Sequence, residues 1–242
     1  MQKFALQEAK NALFLVFCPN ANIRKFAFKN FEKKGGVFIQ KNNVARRRVK
    51  AAPSDALMTR RDVQTLRTYF ISTYEQGALY ALILTIGCNL GLRAGDLLRL
   101  TVGDVRGKTH LEITERKTGK PRRIFINGRV QGALSKHFGK FLFIDDGAAL
   151  FAGRKGHVLG VKALHRIIRS GCKAIGLTGN YGSHTMRKTF ARFAYDYTHD
   201  MKAVNRLLCH SAMNVTRLYV EPTGDDGEYL RSDDEVYSAL NL

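Results

Sequence analysis

Cysteine is scarce in this 242-residue chain, with one each at positions 18, 88, 172 and 209, and no two are spaced as C-x-x-C. That excludes a zinc ribbon and a disulfide framework, and isolated thiols suit a reducing compartment such as cytoplasm or nucleoid. Long apolar runs are lacking too. The longest, Ala78 to Ile86, is too short to cross a bilayer, so no membrane association is expected. Leu13 to Cys18 follows a mixed-charge start without a small-residue cleavage site, so no signal peptide is read there. Internal repeats and low-complexity tracts are absent. The scarcest property is negative charge: 20 Asp and Glu stand against 40 Lys and Arg, giving a net charge of +20 and a pI near 10.1. An excess of that size points to a polyanion, DNA or RNA, in preference to a small metabolite. The plainer alternative is a solvated basic surface or a protein that lies on a membrane.

The first fifty residues are the hardest to place. Met1 to Phe17 has the spacing of an amphipathic helix that Pro19 stops. Basic and aromatic residues then alternate from Arg24 to Phe38, with Gly35-Gly36 able to close a hairpin. Such interleaving suits either nucleic-acid contact or packing on a neighbouring domain. Arg46, Arg47, Arg48 and Lys50 are read as DNA-binding, and Ala51 to Ser54 as a domain edge. Three segments result: 1–53, 54–220 and 221–242.

From Ser54 the pattern becomes regular. Thr59 and Asp62 form a capping-box variant at a helix start, with Leu66, Tyr69 and Phe70 facing inward. Gly77 to Leu90 is nearly all apolar, as expected of a helix buried on most sides. It runs into Gly91-Leu92-Arg93-Ala94-Gly95-Asp96-Leu97, where Asp96, three residues on, can hold the Arg93 guanidinium. Lys108 to Asn127 reads as a hairpin around Lys117-Thr118-Gly119-Lys120-Pro121. Gly128 to Phe138 and Gly160 to Ile175 are further helices, the second with Val161, Leu164, Ile167 and Ile168 inward. After Tyr219 the charge reverses. The acidic stretch from Glu221 is expected to dock on basic protein surface, its own or a neighbouring protomer's.

His184 to Tyr219 carries the densest chemistry. His184 and Arg187 are three apart and share one helix face. Leu208-Cys209-His210 ends the next helix, and Ser211 or Asn214 can cap the short one that reaches Tyr219. Two imidazoles, a guanidinium and a phenol suit a phosphodiester. Arg neutralises the non-bridging oxygens, His donates hydrogen bonds or protons, and the phenol can attack phosphorus.

Taken in order, Gly91-Leu92-Arg93-Ala94-Gly95-Asp96-Leu97, Lys117 in its hairpin, His184-x-x-Arg187, Leu208-Cys209-His210 and Tyr219 resemble the catalytic domain of the tyrosine recombinase (phage integrase) family, across about Ser54 to Tyr219. The resemblance implies a mainly α fold with a small antiparallel β-hairpin sheet. It implies that Arg93 and Arg187 clamp the scissile phosphate and that Tyr219 attacks it, leaving a 3′-phosphotyrosyl link. Lys117 would protonate the leaving 5′-oxygen, with Lys120 on the same turn as the other candidate and otherwise a DNA contact. His210 would hydrogen-bond the phosphate, His184 would act as proton acceptor or position Tyr219, and Asp96 would support Arg93. Neither cofactor, metal nor ATP is implied. The partners implied are double-stranded DNA, further protomers in a tetramer, and accessory DNA-bending proteins. The acidic tail would reach one of those protomers, and the setting would be the cytoplasm or nucleoid, or intracellular DNA acted on by a virus or mobile element. Cys209 stands where the family commonly has Gly, which is compatible if the backbone there stays out of the left-handed region. His110, His137, His157, His165 and His199 are expected to have no functional role. A type IB-like topoisomerase and a non-catalytic DNA-binding protein are the alternative readings.

Overall fold

The computed structural model describes residues 53–140, 143–153, 156–220 and 232–242. The expectations for residues 1–52, including Arg46, Arg47, Arg48 and Lys50 as DNA contacts, lie outside the described residues. So does the stretch 221–231.

Helix α1 spans Arg60–Thr73, and the reciprocal Thr59–Asp62 capping box forms as read, with side chain and backbone bonded both ways. It packs against α2, Gly77–Leu90, where its buried Phe70 meets the Tyr80 ring, centroids 6.2 Å apart. A sequence so nearly free of polar side chains can only be stable with its whole circumference covered. Helix α2 accordingly packs against α1, against α4 (Gly128–Phe138), and against α6 (Thr185–Thr198). It ends at Gly91 in the left-handed conformation, φ 60°. A Cβ there would lie 2.4 Å from the Phe190 ring, so both the conformation and the contact require glycine.

Beyond the one-turn helix α3 (Ala94–Leu97) the chain forms two strands, β1 (His110–Thr114) and β2 (Pro121–Phe125). They pair antiparallel in a register running from His110 opposite Phe125 to Thr114 opposite Pro121. Leu111, Ile124 and Ile126 are fully buried and anchor the hairpin to the helical core. The expected mainly α architecture with a small antiparallel hairpin is therefore the observed one. Helix α5 (Val161–Ala174) follows α4. It buries Leu164 and Ile168, but Val161, expected inward, is 42% exposed because the first turn runs out past the core.

Helices α6, α7 (Met201–Leu208) and α8 (Met213–Arg217) come next, and α9 (Asp233–Leu240) closes the fold. Neither Ser211 nor Asn214 caps α8. Ala212 occupies the N-cap without a side-chain bond. Helix α9 was expected only as acidic charge. Its Val236, Tyr237, Leu240 and the following Leu242 are buried, and it packs on α6, β2 and α2 of its own chain. The acidic groups do meet basic ones: Asp233 pairs with Arg206 at 3.0 Å and Asp234 with His110 at 3.1 Å. No helix among the described residues is long and apolar enough to cross a membrane.

Candidate active site

The C-terminal ends of α2 and α7, the start of α6 and the hairpin tip converge on one carboxylate. Glu115 follows β1, and its side chain is fully buried. It is ion-paired with Arg93, with Arg122 at 3.2 Å and, more distantly, with Arg187 at 3.9 Å. The Thr118 hydroxyl donates to it at 2.8 Å. Burial pushes the Glu115 carboxyl upward, but Arg93, Thr118 and Arg122 together outweigh it and hold the group below the usual carboxylate range. Three guanidiniums around one carboxylate leave two positive charges uncompensated in the interior, a costly arrangement unless an anion completes it.

Arg187 shows how rigidly the clamp is built. It is 1% exposed. Its Nη1 donates to the Gly91 carbonyl at 2.8 Å and its Nη2 to the Leu208 carbonyl at 2.6 Å. Those carbonyls terminate α2 and α7, where the helix dipole favours a cation. Its buried Nε finds no hydrogen-bond partner among the described residues. Burial, and after it the charges of Arg93 and Arg122, lower the guanidinium pKa to about 10, which still leaves it protonated at neutral pH. The effect of the arrangement is a fixed cation with one donor to spare.

Asp96 does not hold Arg93, contrary to expectation. Arg93 sits at the N-cap of α3 in an extended conformation, so helical i,i+3 geometry does not apply to it. Asp96 instead accepts the Arg116 N–H at 3.1 Å and approaches Arg99 at 3.5 Å. It ties the hairpin to α3, and Glu115 is the carboxylate of Arg93.

At the hairpin tip, the Glu115 N–H donates to the Lys120 carbonyl at 3.0 Å and the Gly119 N–H to the Glu115 carbonyl at 2.8 Å. Lys117 and Lys120 both remain exposed there. His184 is the N-cap residue of α6 and keeps an exposed edge. Desolvation of its ring, followed by the charges of Arg187, Arg93 and Lys117, lowers its pKa. Lys117 is thus close enough to act on the His184 ring.

Cys209 does enter the left-handed region, with φ 50° and ψ 42°, against the expectation. The residue ends α7. Its own N–H donates to Arg206 O at 3.0 Å, and the turn lets the next N–H, that of His210, donate to Asn205 O at 3.2 Å. Satisfying these last carbonyls offsets a strain on the order of 1 kcal/mol for a non-glycine residue. The turn aims His210 inward. Its Nδ1 lies 3.0 Å from the Thr216 hydroxyl, which accepts from Asn205 Nδ2 at 2.9 Å. The His210 and Tyr219 rings meet edge to face, centroids 4.9 Å apart. Burial, and then the cations Arg187 and Arg93, lower the His210 pKa to about 4. Lys188 Nζ lies 5.5 Å from the centre of the Tyr219 ring.

Arg93, Lys117, the His184–Arg187 pair, His210 and Tyr219 thus come from five separate stretches into one surround. Glu115, Arg122, Asn205 and Thr216 join them without having been singled out in the sequence. Helix α5 adds a further feature: Lys162, Arg166, Arg169 and Lys173 are all exposed, and their spacing puts them in one stripe. The helix is linked to the start of α6 through the Ser183 N–H, which donates to His165 Nδ1 at 3.3 Å. Among the described residues no group of three or more His, Cys, Asp or Glu is placed to hold a metal ion.

The sequence profile of the phage integrase family matches residues 56–224. The chain belongs to the phage integrase family, the tyrosine recombinases. A probable integrase/recombinase, YoeC of Bacillus subtilis (strain 168), is 31% identical over 179 residues, covering 74% of this chain and 93% of that protein. The tyrosine recombinase XerC of Chromohalobacter salexigens is 29% identical over 157 residues, or 62% of this chain and 52% of XerC, so the match spans about half the length of that relative. Among solved structures, XerA recombinase superposes with a TM-score of 0.57 at 20% identity, over 88% of this chain and 76% of XerA. A lambda integrase (75–356) dimer bound to a COC′ core site gives 0.57 at 20% identity, over 95% and 80%. These likenesses establish the shared fold. As a tyrosine recombinase the chain is a DNA strand-transferring enzyme, and site-specific recombination is its class of reaction.

Proposed function

We propose that this recombinase cuts and rejoins DNA through a covalent 3′-phosphotyrosyl intermediate on Tyr219, using neither metal nor ATP. The observation that carries the reading is the under-neutralised cluster at Glu115, set beside a phenol and an imidazole. A phosphodiester brings one negative charge, and the transition state of its displacement spreads more over the equatorial oxygens. Arg93 and Arg187 take those oxygens, with the spare Arg187 Nε–H as one donor, and the preorganised guanidiniums need no rearrangement when charge builds. Glu115 orients the pair in place of the Asp96 expected from sequence. Tyr219 attacks phosphorus and the P–O bond to the 5′-oxygen breaks. Lys117 supplies the proton that oxygen needs, while His184 takes or steers the phenol proton. The bond energy stored in the phosphotyrosine drives rejoining when a 5′-hydroxyl attacks.

The stripe on α5 supports tracking of the DNA backbone next to this site, and Arg46, Arg47, Arg48, Lys50 and Lys120 would add phosphate contacts. Solved relatives include a lambda integrase tetramer bound to a Holliday junction. The corresponding assembly here is four protomers exchanging two pairs of strands, with DNA-bending proteins as accessories. A nicked suicide duplex carrying sequence that flanks the gene tests the chemistry. The wild type should form a denaturant-resistant adduct and Tyr219→Phe none. Salt-sensitive binding of the duplex without an adduct in the wild type would instead mark a DNA-binding protein.

A further inference from the structure

We infer that Asn205 and Thr216 lock His210 in the tautomer with a bare Nδ1 and a protonated Nε2, so that His210 works as a hydrogen-bond donor and not as the base that deprotonates Tyr219. The part concerning the reaction rests on the function proposed above; the tautomer itself does not.

The fate of one hydroxyl proton decides the question. Thr85, Thr189 and Thr198 are buried helical threonines, and each donates to the carbonyl one turn back, at 2.8, 2.9 and 2.8 Å. Thr216 is equally buried, at 0% exposure, and makes no such bond among the described residues. The carbonyl one turn back, that of Ala212, accepts the Val215 N–H instead. The Thr216 oxygen has two polar neighbours within hydrogen-bond distance, Asn205 Nδ2 and His210 Nδ1. An amide nitrogen can only donate. The hydroxyl proton therefore goes to Nδ1, which must be bare to accept it. A neutral imidazole with a bare Nδ1 carries its proton on Nε2.

The surroundings keep the ring neutral. Burial disfavours a second proton most, Arg187 from α6, Arg93 ahead of α3 and Arg122 from β2 add to it, and Glu115 opposes them only in part. Tyr219 packs against the ring. A neutral Nε2–H is a donor suited to a phosphate oxygen and has no lone pair to take the phenol proton. Asn205 and Thr216 are thus positioning residues that act through His210, and the base for Tyr219 has to be sought elsewhere, with His184 the candidate at hand.

The direction of the relay depends on Asn205 presenting its NH₂, and that gives a decisive substitution. Asn205→Asp offers only acceptors, so Thr216 should give its proton to Asp and His210 should move its proton to Nδ1. Full-length protein labelled with ¹⁵N-histidine reports both ring nitrogens through two-bond correlations, with His210 assigned by loss of its signals in His210→Gln. At neutral pH the wild type should show a pyridine-type Nδ1 and a pyrrole-type Nε2. Asn205→Asp should invert that pattern and slow cleavage of the nicked duplex by about tenfold, the worth of one hydrogen bond near 1.4 kcal/mol. Thr216→Val should lose the lock and Thr216→Ser restore both the pattern and the rate. A pyrrole-type Nδ1 in the wild type overturns the inference, as does an Asn205→Asp pattern identical to wild type. Absence of cleavage in every protein, with the expected nitrogen pattern intact, would count against the reaction and leave the relay standing.

Discussion

Among the polar clusters inside the described residues, two differ in whether their bonding is complete. One surrounds Asn89 near the end of α2. Asn89 Nδ2 donates to Thr85 O at 2.8 Å and Leu242 O at 2.9 Å. Its Oδ1 accepts from Asn127 Nδ2 at 2.8 Å and from the Leu242 N–H at 2.9 Å. Asn127 in turn donates to Tyr237 O and caps α4 by accepting from the Val130 N–H. Asn89 makes all four of its hydrogen bonds and Asn127 three of its four, and neither side chain carries a charge, which is how a polar group contributes to a fold. The other cluster, around Glu115, has three cations to one anion and a buried guanidinium N–H without a partner. A protein that satisfies one buried cluster has no packing reason to leave another unbalanced a few residues along the same helix end. The imbalance is what a substrate anion would complete.

The hardest way to break this contrast is to remove the anion that holds the unbalanced cluster together. Glu115→Gln leaves Arg93, Arg122 and Arg187 facing one another without a counter-charge. Stripping one partner from a buried ion pair costs about 3–5 kcal/mol, so denaturant unfolding should show a midpoint well below wild type. Added inorganic phosphate or sulfate should recover part of the loss, because an anion can then occupy the site. Unfolding of the variant unmoved by these anions would mean that the cations have found partners within the protein. The neutral cluster should behave differently. Asn89→Ala leaves the Asn127 amide and the Leu242 backbone groups without these partners, at roughly 1–3 kcal/mol, and phosphate should give no recovery. Cleavage per folded molecule should stay near wild type in Asn89→Ala, measured with the nicked duplex under conditions where the variant is fully folded.

The same contrast shows what could be read from the chain alone. Arg93, Lys117, His184, Arg187, His210 and Tyr219 stood out because each lies in a short local pattern, and local patterns survive in sequence. Their shared carboxylate did not. Glu115 reaches Arg93 only because the hairpin folds back over the end of α2, while Asp96 sits closer in sequence and invites the wrong pairing. Thr216 and Asn205 were hidden for a like reason, since the relay joins α7 to α8 across the turn at Cys209. That turn was itself misjudged, because the conformational cost to a cysteine was visible and the carbonyls that repay it were not. Helix α9 was masked by its charges. Asp233, Asp234 and Glu235 read as a solvated acidic tail, although Val236, Tyr237 and Leu240 supply an apolar stripe and Ser232 with Glu235 a complete capping box. Thr59 with Asp62, whose signal is as local as any in the chain, was legible to the residue.

A milder perturbation separates the clusters by acid. His210 has its pKa lowered to about 4, against about 6.5 for an unfolded histidine. Between those values the unfolded chain binds a proton that the folded chain refuses. Stability tied to His210 is therefore fully present above about pH 6.5 and is lost progressively as pH falls toward 4. His184, lowered in the same direction, adds to the slope. The Asn89 cluster has no titrating side chain and should contribute none. Unfolding midpoints measured from pH 7 down to pH 4.5 should decline in the wild type and in Asn89→Ala with matching slopes. In His210→Gln, which cannot take up the proton, the decline should be shallower. Equal slopes in His210→Gln and the wild type would mean that the imidazole titrates in the folded protein much as it does in the unfolded chain. Burial, and the cations around Glu115 after it, would then act on the ring less than its position requires.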